Sequence, residues 1–201
     1  MIFLKTVVIA SNNLNKIKEF RSILNIPNVE FKGLKEIGFT DEIIEDGNSF
    51  FENALIKAKT ISEKLNVIAI SDDSGLEVEA LNNAPGIYSA RYAGGHDDEE
   101  NNKLLLKNLK GIENRKARYV CNICLYYPDG KYVSVEDYCY GYIIDERKGS
   151  NGFGYDPYFY VDEYHKTLAQ VSLEEKNKIS HRAKALRKLK EMLDENFNLI
   201  R

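Results

Sequence analysis

Apolar residues recur along this chain in two rhythms, short unbroken runs and stripes that return every three or four positions, which predicts strands interspersed with helices in an α/β or α+β layout. Thr6 to Ala10 reads as a buried strand, followed by a polar turn from Ser11 to Asn15 and a helix with Ile17, Phe20, Ile23 and Leu24 on one side. Phe51, Ala54, Leu55, Ala58, Ile61 and Leu65 mark a second helix, opened by Ser49 with Glu52 three residues on, the spacing of a capping box. Val67 to Ile70 is a short strand that runs into the acidic turn SDDSG, placing two carboxylates at a strand's carboxyl end, where open α/β sheets bind ligands. Leu104, Leu105 and Leu109 carry a third helix that follows the acidic lead DDEE and stops near Gly111. Ala117 to Tyr127 and Lys131 to Ile144 flank the turn Pro128 to Gly130 as a long antiparallel hairpin, which could form a second lobe. A last helix, from about Ser180, sets Leu186, Leu189, Leu193 and Phe197 on a core stripe.

Length and charge narrow the partners. The 201 residues fit one domain or two small lobes, and 43% apolar content supports a core without staples. With 28 basic and 31 acidic residues the formal charge is -3, so no global positive field holds a nucleic acid, although a local basic pocket for a small anion is allowed. The start, MIFLKTVVIAS, has neither a basic leader nor room for a bilayer span, and implies a cytoplasmic protein. Cys121, Cys124 and Cys139 are too few and odd in number for a disulfide framework. CNIC has zinc-pair spacing but lies in a strand pattern, where residues three apart face opposite ways, so it is read as structural.

Four groups of residues carry candidate chemistry. Glu45 in IIEDG and the pair Asp72-Asp73 suit a hard cation, magnesium or manganese, although acidic surface turns also occur without function. Glu52 is assigned to its cap. Ser11, Asn13 and Lys16 sit at the first strand-to-helix turn, where free N–H groups favour an anion; there is no Walker A motif, and a capped surface helix explains them equally. In SNGFGYDPYFY, Phe153 could stack on a base, or the run could be a tyrosine-rich core loop. Lys176, His181 and Arg182 cluster where the last helix begins, apart from the solvated basic face beyond them.

These parts complement one another as a phosphate-processing site, and the segments that hold them, ASNNLNKIKEF, EDGNSFFENALIKAK, SDDSGLEVEALNNAPGIYSARYAG, SNGFGYDPYFY and LEEKNKISHRAKAL, resemble in order and spacing the Ham1/inosine triphosphatase family over nearly the whole chain. The resemblance implies a mixed α/β fold with flanking helices and two lobes around a nucleotide groove, a homodimer, and magnesium-dependent cleavage of noncanonical purine nucleoside triphosphates (ITP, dITP, XTP) to monophosphate and pyrophosphate. It makes Ser11, Asn12, Asn13, Leu14, Asn15 and Lys16 a triphosphate-binding segment, and Glu45 and Asp73 metal ligands or their neighbours. Asp73 becomes the proton acceptor for the attacking water, and Asp72 supports it. Ser74 touches substrate, Phe153, Gly154, Tyr155 and Asp156 hold the base and sugar, and Lys176, His181 and Arg182 close over the nucleotide. Water would then attack the α-phosphorus in line, with Lys16 offsetting developing charge. A donor from Arg182 or the backbone, facing the 6-oxygen of hypoxanthine or xanthine, would reject the amino group of adenine.

Asn12 and Asn15 stand where the family often has glycine, a change that asparagine's tolerance of left-handed backbone would absorb. Asp137 also replaces a common glycine, without explanation. The rival readings are a Maf-type nucleotide pyrophosphatase, a nucleotide-binding sensor without turnover, and a nucleic-acid module built on the basic last helix, which the acidic balance disfavours.

Overall fold

The computed structural model describes residues 5–195. Its elements in order are β1 (Lys5–Ile9), α1 (Leu14–Ile23), β2 (Val29–Gly33), α2 (Phe50–Leu65), β3 (Ile68–Val78), α3 (Asp98–Asn108), β4 (Lys116–Tyr126), β5 (Tyr132–Ile143), β6 (Phe159–Val161), β7 (Lys166–Thr167), α4 (Leu173–Ile179) and α5 (His181–Glu195), with short 3-10 turns between some of them. The strands form one open sheet in the order β2-β1-β3-β4-β5-β6-β7. It is mixed: β1 runs parallel to both β2 and β3, while β6 is antiparallel to β5 and β7. No described helix is long and apolar enough to cross a membrane.

The chain divides into two compact units, one of residues up to 73, 121–137 and 182 onward, the other of 74–120 and 138–181. The hairpin is therefore not a lobe of its own. At 11 and 12 residues its strands extend roughly 36–40 Å, long enough to supply one core with Cys121, Ile123, Leu125 and Val135 and the other with Ala117, Tyr119, Cys139 and Ile143.

In the first unit strand alternation sorts side chains onto two faces. Val7, Ile9, Ile68, Ile70 and Cys121 pack with Phe20 of α1 and Leu186, Leu189 and Leu193 of α5. The alternate positions Val8, Ala10 and Ala69 pack with Ile61 of α2, and Cys124 packs with Ala54 and Ala58. Cys121 and Cys124 thus lie on opposite faces, buried and unpaired, as their strand spacing predicts. The expected contribution of Phe197 to the α5 stripe lies outside the described residues. In the second unit Leu105 of α3, Leu109 at its C-cap and Ile179 of α4 close over Leu76, Val78, Tyr155 and Phe159.

Helix ends follow their local signals. Ser49 Oγ accepts from Glu52 N at 3.1 Å, and the Glu52 carboxylate reaches back one residue further than a standard box, to Asn48 N at 2.6 Å. Asp97 caps α3 by accepting from Glu99 N and Glu100 N.

Candidate active site

The sequence SDDSG is strand and not turn: β3 continues from Ile68 to Val78, with both aspartates inside it. Its composition is that of a turn, but sheet pairing overrides local preference. The consequence is geometric. Neighbouring strand residues point to opposite faces, so the two carboxylates form two separate centres.

Asp72 faces α1 and α5. Its Oδ2 accepts from Lys16 Nζ and from Arg182 Nε, both at 3.0 Å, and the Cys121 thiol lies at 3.9 Å. Arg182 NH1 donates in turn to Glu19 Oε2. Arg182 is 1% exposed, Asp72 2% and Glu19 3%, so two acids and two bases make a neutral cluster whose most exposed member is Lys16. Burial pushes the Asp72 pKa up, but Lys16, Arg182 and Lys57 outweigh it and hold the carboxyl well below the ordinary range. Burial by itself would lower the Arg182 pKa; Asp72 and Glu19 more than offset it and keep the guanidinium charged. The Arg182 side chain, expected to close over a nucleotide, lies in the interior between Asp72 and Glu19.

Asp73 faces α2. Its Oδ2 accepts from Asn53 Nδ2 at 3.1 Å, and its Oδ1 lies 3.7 Å from Lys57 Nζ, which donates at 2.6 Å to Glu45 Oε2. Glu45 comes from the irregular segment before α2. Gly47 N donates to Asn53 Oδ1 at 2.9 Å, and a Cβ at Gly47 would fall 2.7 Å from Glu52 Cβ, so only glycine lets this segment lie so close to the helix. Burial raises the Asp73 pKa, and the opposing pull of Lys57 and Lys16 does not restore it. Burial also disfavours the Lys57 ammonium, but Asp73 and Glu45 reverse the effect and raise its pKa. The two adjacent carboxyls are thus pushed in opposite directions by their surroundings.

Asn53 and Lys57 escaped the sequence reading. Their signal is there: Lys57 lies three residues after Ala54 and four before Ile61, on the buried stripe of α2, where a cation requires a partner.

At the first strand-to-helix turn, Asn13 is the N-cap, and its Oδ1 accepts from Asn15 N at 3.0 Å and Lys16 N at 3.2 Å. Ser11 Oγ accepts from Asn13 N at 3.1 Å. The capped-helix reading therefore accounts for Asn13, and the turn is shorter than expected, since Leu14 and Asn15 are already helical. Asn12 and Leu14 are exposed. Neither Asn12 nor Asn15 is left-handed, so their replacement of glycine needs no backbone tolerance.

In the second unit, Ser74 is half-buried on β3. Asp156 is buried, and its Oδ2 accepts from Phe153 N at 3.0 Å and from Lys176 Nζ at 2.7 Å, while the same ammonium sits 4.8 Å from the Phe153 ring centroid. Tyr155 donates through its hydroxyl to Ser89 O at 2.7 Å. Lys176 belongs to α4, whose capping box is Ser172 with Glu175, and not to the start of the last helix. His181 opens α5, buried and stacked on Tyr119 at 4.6 Å.

Fold and centres together define an open, mixed α/β protein with two buried carboxylate centres on its third strand. This chain belongs to the Ham1 family, whose model matches residues 7–192. A Bacillus anthracis protein called dITP/XTP pyrophosphatase is 47% identical over 199 residues, covering 96% of this chain and 98% of its own. The solved Staphylococcus aureus Ham1 protein superposes with a TM-score of 0.88 at 44% identity, over 96% of this chain and 100% of that one. A HAM1 protein from Coxiella burnetii gives 0.88 at 38% identity, over 95% and 99%.

Proposed function

We propose that this protein hydrolyses noncanonical purine nucleoside triphosphates, dITP, XTP and ITP, to the monophosphate and pyrophosphate. The observation that carries the reading is the Asp73 centre, a buried carboxyl of raised pKa held by Asn53 and Lys57 on the opposite face from its charge-locked neighbour Asp72. It is supported by family membership and by relatives named for dITP and XTP.

Asp73 is the base. It accepts a proton from water as the water oxygen bonds to the α-phosphorus; the bond from that phosphorus to the α,β-bridging oxygen breaks, and the electron pair leaves with pyrophosphate. Lys57 holds Asp73 and Glu45 in one geometry, and Lys16, the most open member of the Asp72 cluster, offsets charge on the phosphates. Magnesium fits Glu45 and Asp73. Their carboxylates already converge on one cation, the Lys57 ammonium, and no cage of three or more His, Cys, Asp or Glu exists among the described residues. Two carboxylates are the usual protein share for a magnesium ion that arrives with phosphate. When bound it would supply charge neutralisation on the phosphate oxygens; manganese could substitute. Phe153, Gly154, Tyr155 and Asp156 are assigned to the base and Lys176 to their support. A homodimer is the proposed assembly, and the cytoplasm its proposed setting.

The test is pyrophosphate release from dITP, XTP, ITP, dATP and dGTP with magnesium. Preference for the first three supports the reading. Equal rates on dATP and dITP, or orthophosphate as the product, refute it; binding without turnover would favour the sensor instead.

A further inference from the structure

The Phe153–Tyr155 backbone, assigned above to the base, is fixed in an unusual way. Gly154 N donates to Asp98 Oδ2 at 2.7 Å, and Gly154 O accepts from Asn102 Nδ2 at 3.0 Å. Asp98 and Asn102 are one turn apart on α3, so a single helix face grips both polar groups of one residue. The Phe153 N–H is taken by Asp156. Three successive peptide groups are thereby oriented, and because each peptide is planar and trans, the Phe153 carbonyl and the Tyr155 N–H are turned away from the α3 side chains that hold Gly154. Gly154 itself has φ +63 with open space where a Cβ would lie, so glycine serves the backbone shape and not a close approach.

Asn102 carries a second signal. It is 2% exposed, and its Oδ1 has no hydrogen-bond partner among the described residues. A buried amide with half its polar groups unused is poorly suited to stabilising a core, whereas its Nδ2 meets the Gly154 carbonyl. Asp98 is exposed and reaches Gly154 from the first turn of the helix.

We propose that Asp98 and Asn102 are positioning residues for base discrimination: by clamping the Gly154 peptide groups they aim a backbone donor of the Phe153–Tyr155 loop at the purine 6-oxygen. A peptide N–H cannot switch between donor and acceptor, so a clamped one favours an oxygen there and leaves the adenine amino group facing another donor. The inference rests on the assignment of this loop to the base.

The experiment compares wild type, Asp98→Ala, Asp98→Asn and Asn102→Leu with magnesium on dITP, dATP and deoxyribose 5′-triphosphate, which has no base. Asp98→Ala and Asn102→Leu are expected to raise KM for dITP with little change in kcat, and to lower the dITP/dATP ratio of kcat/KM about tenfold, the equivalent of one oriented hydrogen bond. Asp98→Asn keeps an acceptor and keeps the ratio. The baseless substrate is cleaved by all four at one rate. An unchanged ratio in Asp98→Ala overturns the inference, as does an equal loss on all three substrates, which would mark a purely structural role. Because Asp98 is exposed, its variant remains informative should Asn102→Leu not fold. A wild type with no preference for dITP over dATP would instead overturn the function assigned above, and the inference with it.

Discussion

Arg182→Met removes one cation from a buried cluster of two acids and two bases, and its cost can be worked from the contacts. Arg182 bridges Asp72 and Glu19, both nearly inaccessible, so its loss takes a contacting cation from two buried carboxylates at once. Removing one partner of a buried pair costs about 3–5 kcal/mol, chiefly because the charge left behind stays desolvated. In a protein of this size each kcal/mol lowers Tm by about 2–4 °C, so the melting temperature at pH 7 should fall by roughly 6–20 °C. Circular dichroism melts read this directly. The double variant Glu19→Leu with Arg182→Met separates charge from packing, since it leaves Lys16 and Asp72 as a matched pair 3.0 Å apart. Its Tm should lie above that of Arg182→Met alone, a clear departure from additivity. A single variant melting within about 2 °C of wild type, or a double variant melting lower still, would refute the charge argument.

Two further predictions follow from the opposite treatment of the neighbouring aspartates. Asp73 has a raised pKa, so at pH 7 its ionised form is disfavoured by the fold; Asp73→Asn should leave Tm unchanged or higher while pyrophosphate release falls at least about 100-fold, and a marked drop in Tm would contradict this. Asp72 has a lowered pKa, so its contribution to stability is present above the unfolded value near 4 and is lost as pH falls through the lower folded value. Wild-type Tm should therefore decline in acid more steeply than that of Asp72→Asn, and parallel curves would count against the assignment.

The long elements were legible because each carries its own local signals. Ser49 announces α2, Gly111 ends the turn after α3, and the apolar stripe of α5 is regular as far as Leu193. The shortest strands were not: β6 and β7 have three and two residues, too few to establish a period. SDDSG misled because its residues prefer turns, while the pairing that makes it strand comes from β4, some forty residues later. The helix α4 had a readable start in Ser172 and Glu175, the same spacing that marks α2, but lies directly against α5, so the basic residues of both merged into one run. Among site residues, those in polar loops stood out, and those on buried faces, Glu19, Asn53 and Lys57, did not, because they interrupt apolar stripes that are otherwise sufficient to define the helices.

Asp72 and Asp73 are adjacent in sequence yet owe their difference to the period-2 geometry of a strand. One residue of displacement sends the first carboxyl between α1 and α5, where Lys16 and Arg182 hold it charged, and the second toward α2, where burial works against its charge and Lys57 keeps it in place. The two roles are therefore mechanically linked through a single backbone. Fixing Asp72 by two cations restrains β3 at the point from which Asp73 projects, so the stability of one face provides the positional precision that the proposed proton acceptor requires on the other.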